Sequence, residues 1–235
     1  MTDKRITLVT GASRGIGRAL ALELATKHDQ HILALARSKK ALEDLDDEIK
    51  SKGGSATLIP MDLTDASSIE QLSAVVLERF GRLDGLAANA GVLGPISPVH
   101  TVTPKSWEQT IEINLNANWR LIRSFDPLLR QSPSGRAVFV SSGVVPRPRA
   151  FWGPYQASKA GLEGLVAVWV EETRPTKMRI NLFDPGATRT TMRADAMPGE
   201  DPMTLPAPEE IAGKFATLLL PECEDHGTRF VAKDM

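Results

Sequence analysis

The 235-residue sequence contains one cysteine, one tyrosine and no long apolar run, and its charges nearly cancel. The single cysteine, Cys223, excludes an intramolecular disulfide framework and a cysteine-based zinc site, so we expect no metal centre and a reducing, cytoplasmic location. Lys and Arg number 28 against 29 Asp and Glu, which leaves no overall field to attract nucleic acid or an anionic membrane. The apolar stretches are shorter than the roughly 18 residues of a membrane span, and the N-terminus lacks the apolar core of a signal peptide. These absences predict no role on nucleic acid or in a membrane.

Short apolar runs alternate along the chain with longer segments in which apolar residues recur every three or four positions. The runs predict strands over 6–9, 32–36, 56–59, 83–88, 137–140, 180–183 and, last, 228–231. The longer segments predict helices over 17–27, 39–52, 67–79, 107–130, 155–173 and 208–219. Such alternation predicts an α/β fold, a Rossmann-type doubly wound parallel sheet with helices on both faces. We expect residues 1–235 to form a single domain with a substrate loop at about 187–208.

A glycine-rich turn follows the first predicted strand, in the run Thr10-Gly11-Ala12-Ser13-Arg14-Gly15-Ile16-Gly17. Glycines between a strand and a helix let backbone N–H groups and the positive end of the helix dipole face a pyrophosphate. The spacing is G-x-x-x-G-x-G, and a tight turn with close packing is the alternative interpretation. We predict a dinucleotide site formed by Gly11, Ser13, Arg14, Gly15, Ile16 and Gly17.

The segment after the second strand distinguishes between two forms of that dinucleotide. A carboxylate there would bind the ribose 2′-hydroxyl of NAD(H), but the sequence has Arg37 and no acid. Arg37 and Arg14 would together bind a 2′-phosphate, which favours NADP(H) over NAD(H), although both could be solvated loop charges. Asp62, next to Leu63, would accept a hydrogen bond from the adenine, or serve as a cap or turn residue. The small residues Asn89-Ala90-Gly91 would let a ribose lie against the backbone, or simply end a strand.

The only tyrosine lies four residues before a lysine, at the start of a predicted helix. Tyr155 and Lys159 therefore share one helix face, and the ammonium would move the phenol pKa down toward the working range of a general acid or base. Ser142 ends the strand before this helix. Alone, the Tyr-x-x-x-Lys pair is weak evidence for a catalytic site, because pairs at this spacing usually lie on the solvent-exposed face of a helix.

Taken in order, these motifs resemble the short-chain dehydrogenase/reductase family over nearly the whole chain. The match includes Asn114 in a helix and the run Asp184-Pro185-Gly186-Ala187-Thr188-Arg189-Thr190, in which Pro185, Gly186, Thr188 and Thr190 would approach the nicotinamide carboxamide. The resemblance implies hydride transfer between a nicotinamide and a carbonyl or alcohol substrate. Tyr155 would exchange the proton, Ser142 would hold the substrate oxygen, Lys159 would hold the ribose, and Asn114 would retain a water linking Lys159 to solvent.

The substrate side is less determined by these motifs. Residues near the predicted mouth of the site resemble a bacterial reductase subgroup of the same family, a resemblance that names no substrate. Arg149, Arg189 and Arg193 would bind a carboxylate or phosphate, and Phe151 and Trp152 would cover an apolar portion of the substrate. The arginines would alternatively pair with Glu200, Asp201 or the cofactor phosphates. A sensor that binds NADP(H) without turnover, and a lyase or epimerase that returns the hydride, remain alternatives.

We also expect a homodimer or homotetramer. The helices over 107–130 and 155–173 would form the seam with Trp119 and Trp169, although core packing is the competing use of both tryptophans. The C-terminus lacks the glycine pair that many relatives have after the last strand, which puts the tetramer interface built there in doubt.

Overall fold

The protein is described here by a computed structural model of residues 4–235. Within that range seven parallel strands form one sheet in the order β3-β2-β1-β4-β5-β6-β7. Their bounds are β1 Ile6–Thr10, β2 His31–Ala36, β3 Ser55–Pro60, β4 Gly85–Ala88, β5 Arg136–Val140, β6 Arg179–Asp184 and β7 Arg229–Val231. The predicted α/β fold, a Rossmann-type parallel sheet, is confirmed.

The helices are α1 Gly15–Lys27, α2 Lys39–Ser51, α3 Ala66–Phe80, α4 Pro104–Ile111, α5 Ala117–Gln131, α6 Gly153–Thr173, α7 Thr191–Ala196 and α8 Pro208–Thr217. Alternate residues of each strand point to opposite faces of the sheet. In β2, Leu33 and Leu35 contribute to the core under α3, α5 and α6, whereas Ile32 and Ala34 contribute to the core under α1, α2 and α8. Both faces are thus covered, and the strands consist of nearly continuous apolar runs.

The predicted helix over 107–130 is three pieces. It begins earlier than predicted because Thr103 caps α4, accepting a 3.2 Å hydrogen bond from the Ser106 N–H, and Pro104 suits the first helical turn. A π-helical turn, Glu112–Asn116, separates α4 from α5. The late loop 187–208 likewise contains α7 and the 3₁₀ turn Pro202–Thr204. No helix of residues 4–235 combines the length and the apolar character that crossing a membrane requires.

The strand order reverses around β1, because the chain moves outward to β3 and returns to add β4 on the other side. At such a switch point the loops after neighbouring strands diverge, and a crevice opens beyond the carboxyl ends of the strands. The segments after β1, β2, β4, β5 and β6 line one cavity of about 930 Å³ there.

Candidate active site

The glycine turn fits tightly against the segment after β4. Gly11 has φ of +70°, and a Cβ on it would lie 2.9 Å from Asn89 Nδ2. A Cβ on Gly17 would lie only 2.4 Å from both the Gly11 carbonyl oxygen and Asn89 Nδ2. Gly11 lines the cavity together with Ser13, Arg14, Gly15 and Ile16, whereas Gly17 is buried behind the turn and supports it by close packing. The geometry gives Gly17 a supporting role in the turn, and direct contact between Gly17 and a cofactor stays a prediction.

Thr10 joins the two segments. Its hydroxyl accepts hydrogen bonds from the N–H groups of Asn89 and Ala90, each at 3.0 Å, and its carbonyl accepts one from the Asn89 side chain. Asn89, Ala90 and Gly91 all line the cavity. The Asn-Ala-Gly turn is thus fixed to the glycine turn by hydrogen bonds, which makes this part of the cavity rigid.

Two cations lie at the end of the cavity nearest β2 and β3. Arg14 and Arg37 both line it, both are exposed, and neither forms an ion pair within residues 4–235. Arg14 occupies the N-cap position of α1 without a side-chain cap bond, so the first N–H groups of α1 have no side-chain acceptor there. Asp62 lines the same end with Leu63, but its carboxylate accepts a 2.9 Å hydrogen bond from the Thr64 N–H and so stabilises a turn; Asp65 is the cap of α3.

These features fit a dinucleotide with an extra phosphate. An uncapped helix start carries partial positive charge and accepts a pyrophosphate, and the glycines leave the backbone open to it. Arg14 and Arg37 add unpaired guanidinium groups where an adenosine phosphate would lie.

At the other end of the cavity, Ser142 follows β5 while Tyr155 and Lys159 lie in the first turns of α6. Lys159 Nζ is 5.9 Å from the centre of the Tyr155 ring and donates a 2.7 Å hydrogen bond to the Val140 carbonyl. Both side chains are buried. The structure thus brings all three predicted residues together.

Burial changes the proton affinities of this pair in opposite directions. Desolvation raises the pKa of Tyr155 above its usual value, and the Ser142 hydroxyl opposes the rise. Desolvation lowers the pKa of Lys159 to about 8, and the Glu163 carboxylate opposes the fall. The net direction for Tyr155 is upward, so the lowering of its pKa by Lys159 stays a prediction.

Asn114 is buried in the π turn, and its side chain makes three of the four hydrogen bonds open to an amide. Oδ1 accepts from the Val92 N–H at 2.8 Å, and Nδ2 donates to the Val92 carbonyl and to Ser158 Oγ. A Cβ on Gly91 would meet Asn114 Oδ1 at 3.2 Å and Lys159 Nζ at 3.7 Å. The absence of a side chain at Gly91 therefore lets the backbone lie close to both groups.

The loop after β6 closes the same end of the cavity, where Pro185, Gly186, Thr188 and Thr190 are all lining residues. The Gly186 N–H donates a 3.0 Å hydrogen bond to Asp184, and Thr190 caps α7 by accepting from the Arg193 N–H. This loop approaches the glycine turn, because a Cβ on Gly15 would lie 3.3 Å from the Thr190 methyl group.

The predicted substrate residues divide into two groups. Arg149 and Trp152 line the cavity, and the Arg149 guanidinium lies 5.9 Å from the centre of the Trp152 ring system. Arg193 also lines it, but Glu200 pairs with the guanidinium through two hydrogen bonds of 2.6 and 2.7 Å, which was the alternative open to it.

The other two predicted substrate residues lie outside the cavity. Phe151 has φ of +73° and is 54% exposed, and its carbonyl accepts a hydrogen bond from the Ser97 N–H. The Arg189 guanidinium lies against Met203, held by the backbone bond between the Arg189 N–H and the Pro206 carbonyl. The sequence did not identify Arg147 and Arg229 as residues that line the cavity, because neither belongs to a family motif.

Comparisons with known proteins agree with this geometry. A family model described as short chain dehydrogenase matches residues 5–201. The oxidoreductase YciK of Escherichia coli K12 is 36% identical over 222 residues, covering 93% of this chain and 87% of that protein. A solved short chain dehydrogenase from Salmonella enterica serovar Typhi superposes with a TM-score of 0.93 at 35% identity, covering 98% of this chain and 96% of that one. Another from Escherichia coli CFT073, complexed with NADPH, gives a TM-score of 0.91 at 35% identity over 99% and 98% of the two chains. The chain therefore belongs to the short-chain dehydrogenase family and is an NAD(P)-dependent oxidoreductase.

Proposed function

We propose that this protein is an NADP(H)-dependent carbonyl reductase or alcohol dehydrogenase in which Tyr155 exchanges the proton of the substrate oxygen. The observation that carries the proposal is the meeting, in one cavity, of the glycine turn with Ser142, Tyr155 and Lys159. When bound, the nicotinamide supplies a hydride to the carbonyl carbon. In that direction Tyr155 gives its hydroxyl proton to the carbonyl oxygen, and Ser142 donates a hydrogen bond to the same oxygen as negative charge develops.

Lys159 would act through charge and position. Below about pH 8 its ammonium is protonated, and its place beside the Tyr155 ring favours the phenolate left after proton transfer. Its bond to the Val140 carbonyl uses one of three N–H donors, so the others are free for a ribose hydroxyl and a water.

Asn114 would help to return a proton to this pair. Asn114 Oδ1 and Lys159 Nζ both lie close to Gly91, and a water held between these two polar atoms would be ordered by an acceptor and a donor. Such a water would connect Lys159 with solvent, as the family resemblance implies.

We also propose that the substrate carries a carboxylate or phosphate. Trp152 lies edge-on to Tyr155 with ring centres 5.8 Å apart, and the Arg149 guanidinium lies 5.9 Å from the centre of the Trp152 rings. A cation thus contacts the indole that packs against the proton donor, with Arg147 also on the wall. Glu200 pairs with Arg193, so among the predicted and observed arginines on the substrate side of the cavity, Arg149 and Arg147 are those without an ion pair in the described residues. Residues 187–208, which supply Met192 and Ala196 to the wall, would act as the substrate loop.

The test is NADPH oxidation, followed by absorbance, against a panel of aldehydes, ketones, oxoacids and quinones, with NADH in parallel and Tyr155→Phe as the variant. Tyr155→Phe removes only the acidic hydroxyl, so we expect turnover to fall by at least about 100-fold while NADPH affinity stays near wild type. Wild-type turnover in the variant would defeat the mechanism.

The same panel separates the finer proposals. Faster reduction of oxoacids than of matched neutral ketones supports the anionic substrate, and a preference for neutral carbonyls overturns it while leaving the reductase intact. Tight NADPH binding with no turnover across the panel would favour a sensor over an enzyme of this specificity.

A further inference from the structure

A half-buried arginine, Arg229, lies on the cavity wall beside the catalytic groups, on the strand at the sheet edge. Arg229 Nη2 donates 3.0 Å hydrogen bonds to the Ser142 carbonyl and to Asp184 Oδ2, and its Nε donates a 2.9 Å hydrogen bond to Glu163 Oε1. One guanidinium therefore connects the end of β5, the end of β6 and the middle of α6. We call Arg229, Glu163 and Asp184 the arginine cluster.

Each partner of Arg229 supports a different part of the site. Ser142 is the residue that would hold the substrate oxygen. Asp184 accepts the Gly186 N–H and so fixes the start of the loop that would meet the nicotinamide. Glu163 lies one helical turn after Lys159 and also accepts a hydrogen bond from the Ser141 hydroxyl.

The cluster also sets the local charge. Asp184 and Glu163 are 6% and 20% exposed, and at neutral pH they place two negative charges near the phenol and the ammonium. Among the described groups that face the Tyr155–Lys159 pair, α6 supplies Glu163, β6 ends in Asp184, β7 supplies Arg229, and the π turn supplies only the neutral Asn114. Arg147 and Arg149 also lie on the cavity wall, but within the described residues Arg229 is the cation that hydrogen-bonds to both carboxylates.

We propose that Arg229 is a positioning residue for this reaction: it fixes Ser142, the Gly186 turn and Glu163 in one unit and offsets the two carboxylates beside the proton donor. This role rests on the proposed function for its link to catalysis, but its effect on Tyr155 is measurable without any substrate. The competing role is purely structural, in which Arg229 only attaches β7 to β6.

Loss of the Arg229 guanidinium is expected to shift the pKa of Tyr155 in a defined direction. Asp184 already raises the pKa of Tyr155, and without Arg229 both Asp184 and Glu163 lose the cation that hydrogen-bonds to them. Arg229→Met therefore raises the Tyr155 titration midpoint by about one pH unit, in line with the effect of a neighbouring charge. Asp184→Asn removes one negative charge while Arg229 stays, so it lowers the midpoint.

The experiment uses the fact that Tyr155 is the only tyrosine. Tyrosinate absorbance is followed in stopped-flow pH jumps, before alkaline unfolding, for wild type, Arg229→Met, Arg229→Lys and Asp184→Asn. Arg229→Lys keeps the charge and loses the fork geometry, so its midpoint stays near wild type while kcat falls by about fivefold or more through loss of the Ser142 bond. The variants are also compared by thermal unfolding.

Opposite shifts for Arg229→Met and Asp184→Asn support the proposal; equal midpoints in folded proteins overturn it and leave Arg229 a structural tie. If Arg229→Met does not fold, Arg229→Lys still decides: a loss in kcat of about fivefold or more at an unchanged midpoint supports the proposal, whereas a wild-type kcat overturns it and leaves Arg229 a structural tie. If the wild type shows no turnover but the variants show the expected shifts of the Tyr155 midpoint, the proposed function fails. The inferred effect of Arg229 on Tyr155 then still holds.

Discussion

Arg37 lies one residue beyond the end of β2, exposed and on the wall of the cavity. A guanidinium there forms charge-assisted hydrogen bonds with a 2′-phosphate, whereas a carboxylate repels the phosphate and accepts a bond from a free ribose hydroxyl. We expect Arg37→Asp to weaken NADPH binding by at least about tenfold and to leave NADH binding equal or stronger, as measured by cofactor fluorescence titration.

Arg79→Asp is the matched control, because Arg79 is an exposed arginine on α3 outside the cavity. The same change of charge there should leave both affinities near wild type. Unchanged NADPH affinity in Arg37→Asp would mean that the phosphate is recognised elsewhere, or that the protein does not discriminate between the two cofactors.

At the scale of single residues, the sequence predicted which residues carry the chemistry better than it predicted which side chains pair with one another. Motif residues such as Ser142 and Tyr155 meet in the cavity because strand ends and a helix start bring them there. The sequence offered Glu200 as an alternative partner for the arginines but could not show that it takes Arg193, because a seven-residue separation across a short helix has no pattern. Nor could it show that Arg229 reaches Ser142, since the two are 87 positions apart and meet only through the pairing of β5, β6 and β7.

The turn between β1 and α1 is the element on which cofactor binding depends. Gly17 lies in its closest contact, and a Cβ there overlaps the Gly11 carbonyl oxygen and Asn89 Nδ2. The backbone must move apart, so Gly17→Ala should destabilise the fold by about 1–3 kcal/mol and weaken NADPH binding by about tenfold or more. Thermal unfolding and cofactor titration measure the two effects.

Gly164→Ala provides the control within α6. Gly164 is exposed and a Cβ on it meets nothing within 4 Å, so alanine should leave binding unchanged and stabilise the helix by up to about 1 kcal/mol. Equal behaviour of the two variants would show that the turn tolerates expansion and that Gly17 is not required for its shape.

At the scale of elements, periodicity located strands and helices well but not their interruptions. β5 and α6 differ from the sequence prediction by one or two residues at their starts. The π turn at Glu112–Asn116 escaped prediction because inserting one residue into a helix leaves an apolar pattern that still resembles a continuous helix. That turn carries Asn114, so the departure from regular geometry lies at the predicted functional residue.

At the scale of the whole molecule, the predicted subunit seam depends on two tryptophans, and the structure places one of them in the core and the other on the surface. Trp169 is buried, packs edge-on against Phe139, and donates a 2.8 Å hydrogen bond to Asp126, so its predicted place at a subunit seam is wrong and its use is in the core. Trp119 on α5 is 46% exposed, with the Arg123 guanidinium 5.9 Å from the centre of its rings. Only Trp119 remains available for the predicted seam.

An exposed tryptophan on a helix is typical of a protein interface, where a large flat side chain contributes much of the binding energy. We therefore expect a homodimer that uses the outer face of α5, and we expect Trp119→Glu to place a charge in that seam and convert the dimer to monomer. Sedimentation equilibrium measures the change, and Ser51→Glu adds the same charge on exposed α2 and should keep the dimer. A wild-type monomer, or a dimer unaffected by Trp119→Glu, would assign Trp119 to another partner or to none. Because Tyr155 and Ser142 lie in the cavity of one chain, the monomeric variant should still bind NADPH, which separates assembly from cofactor binding.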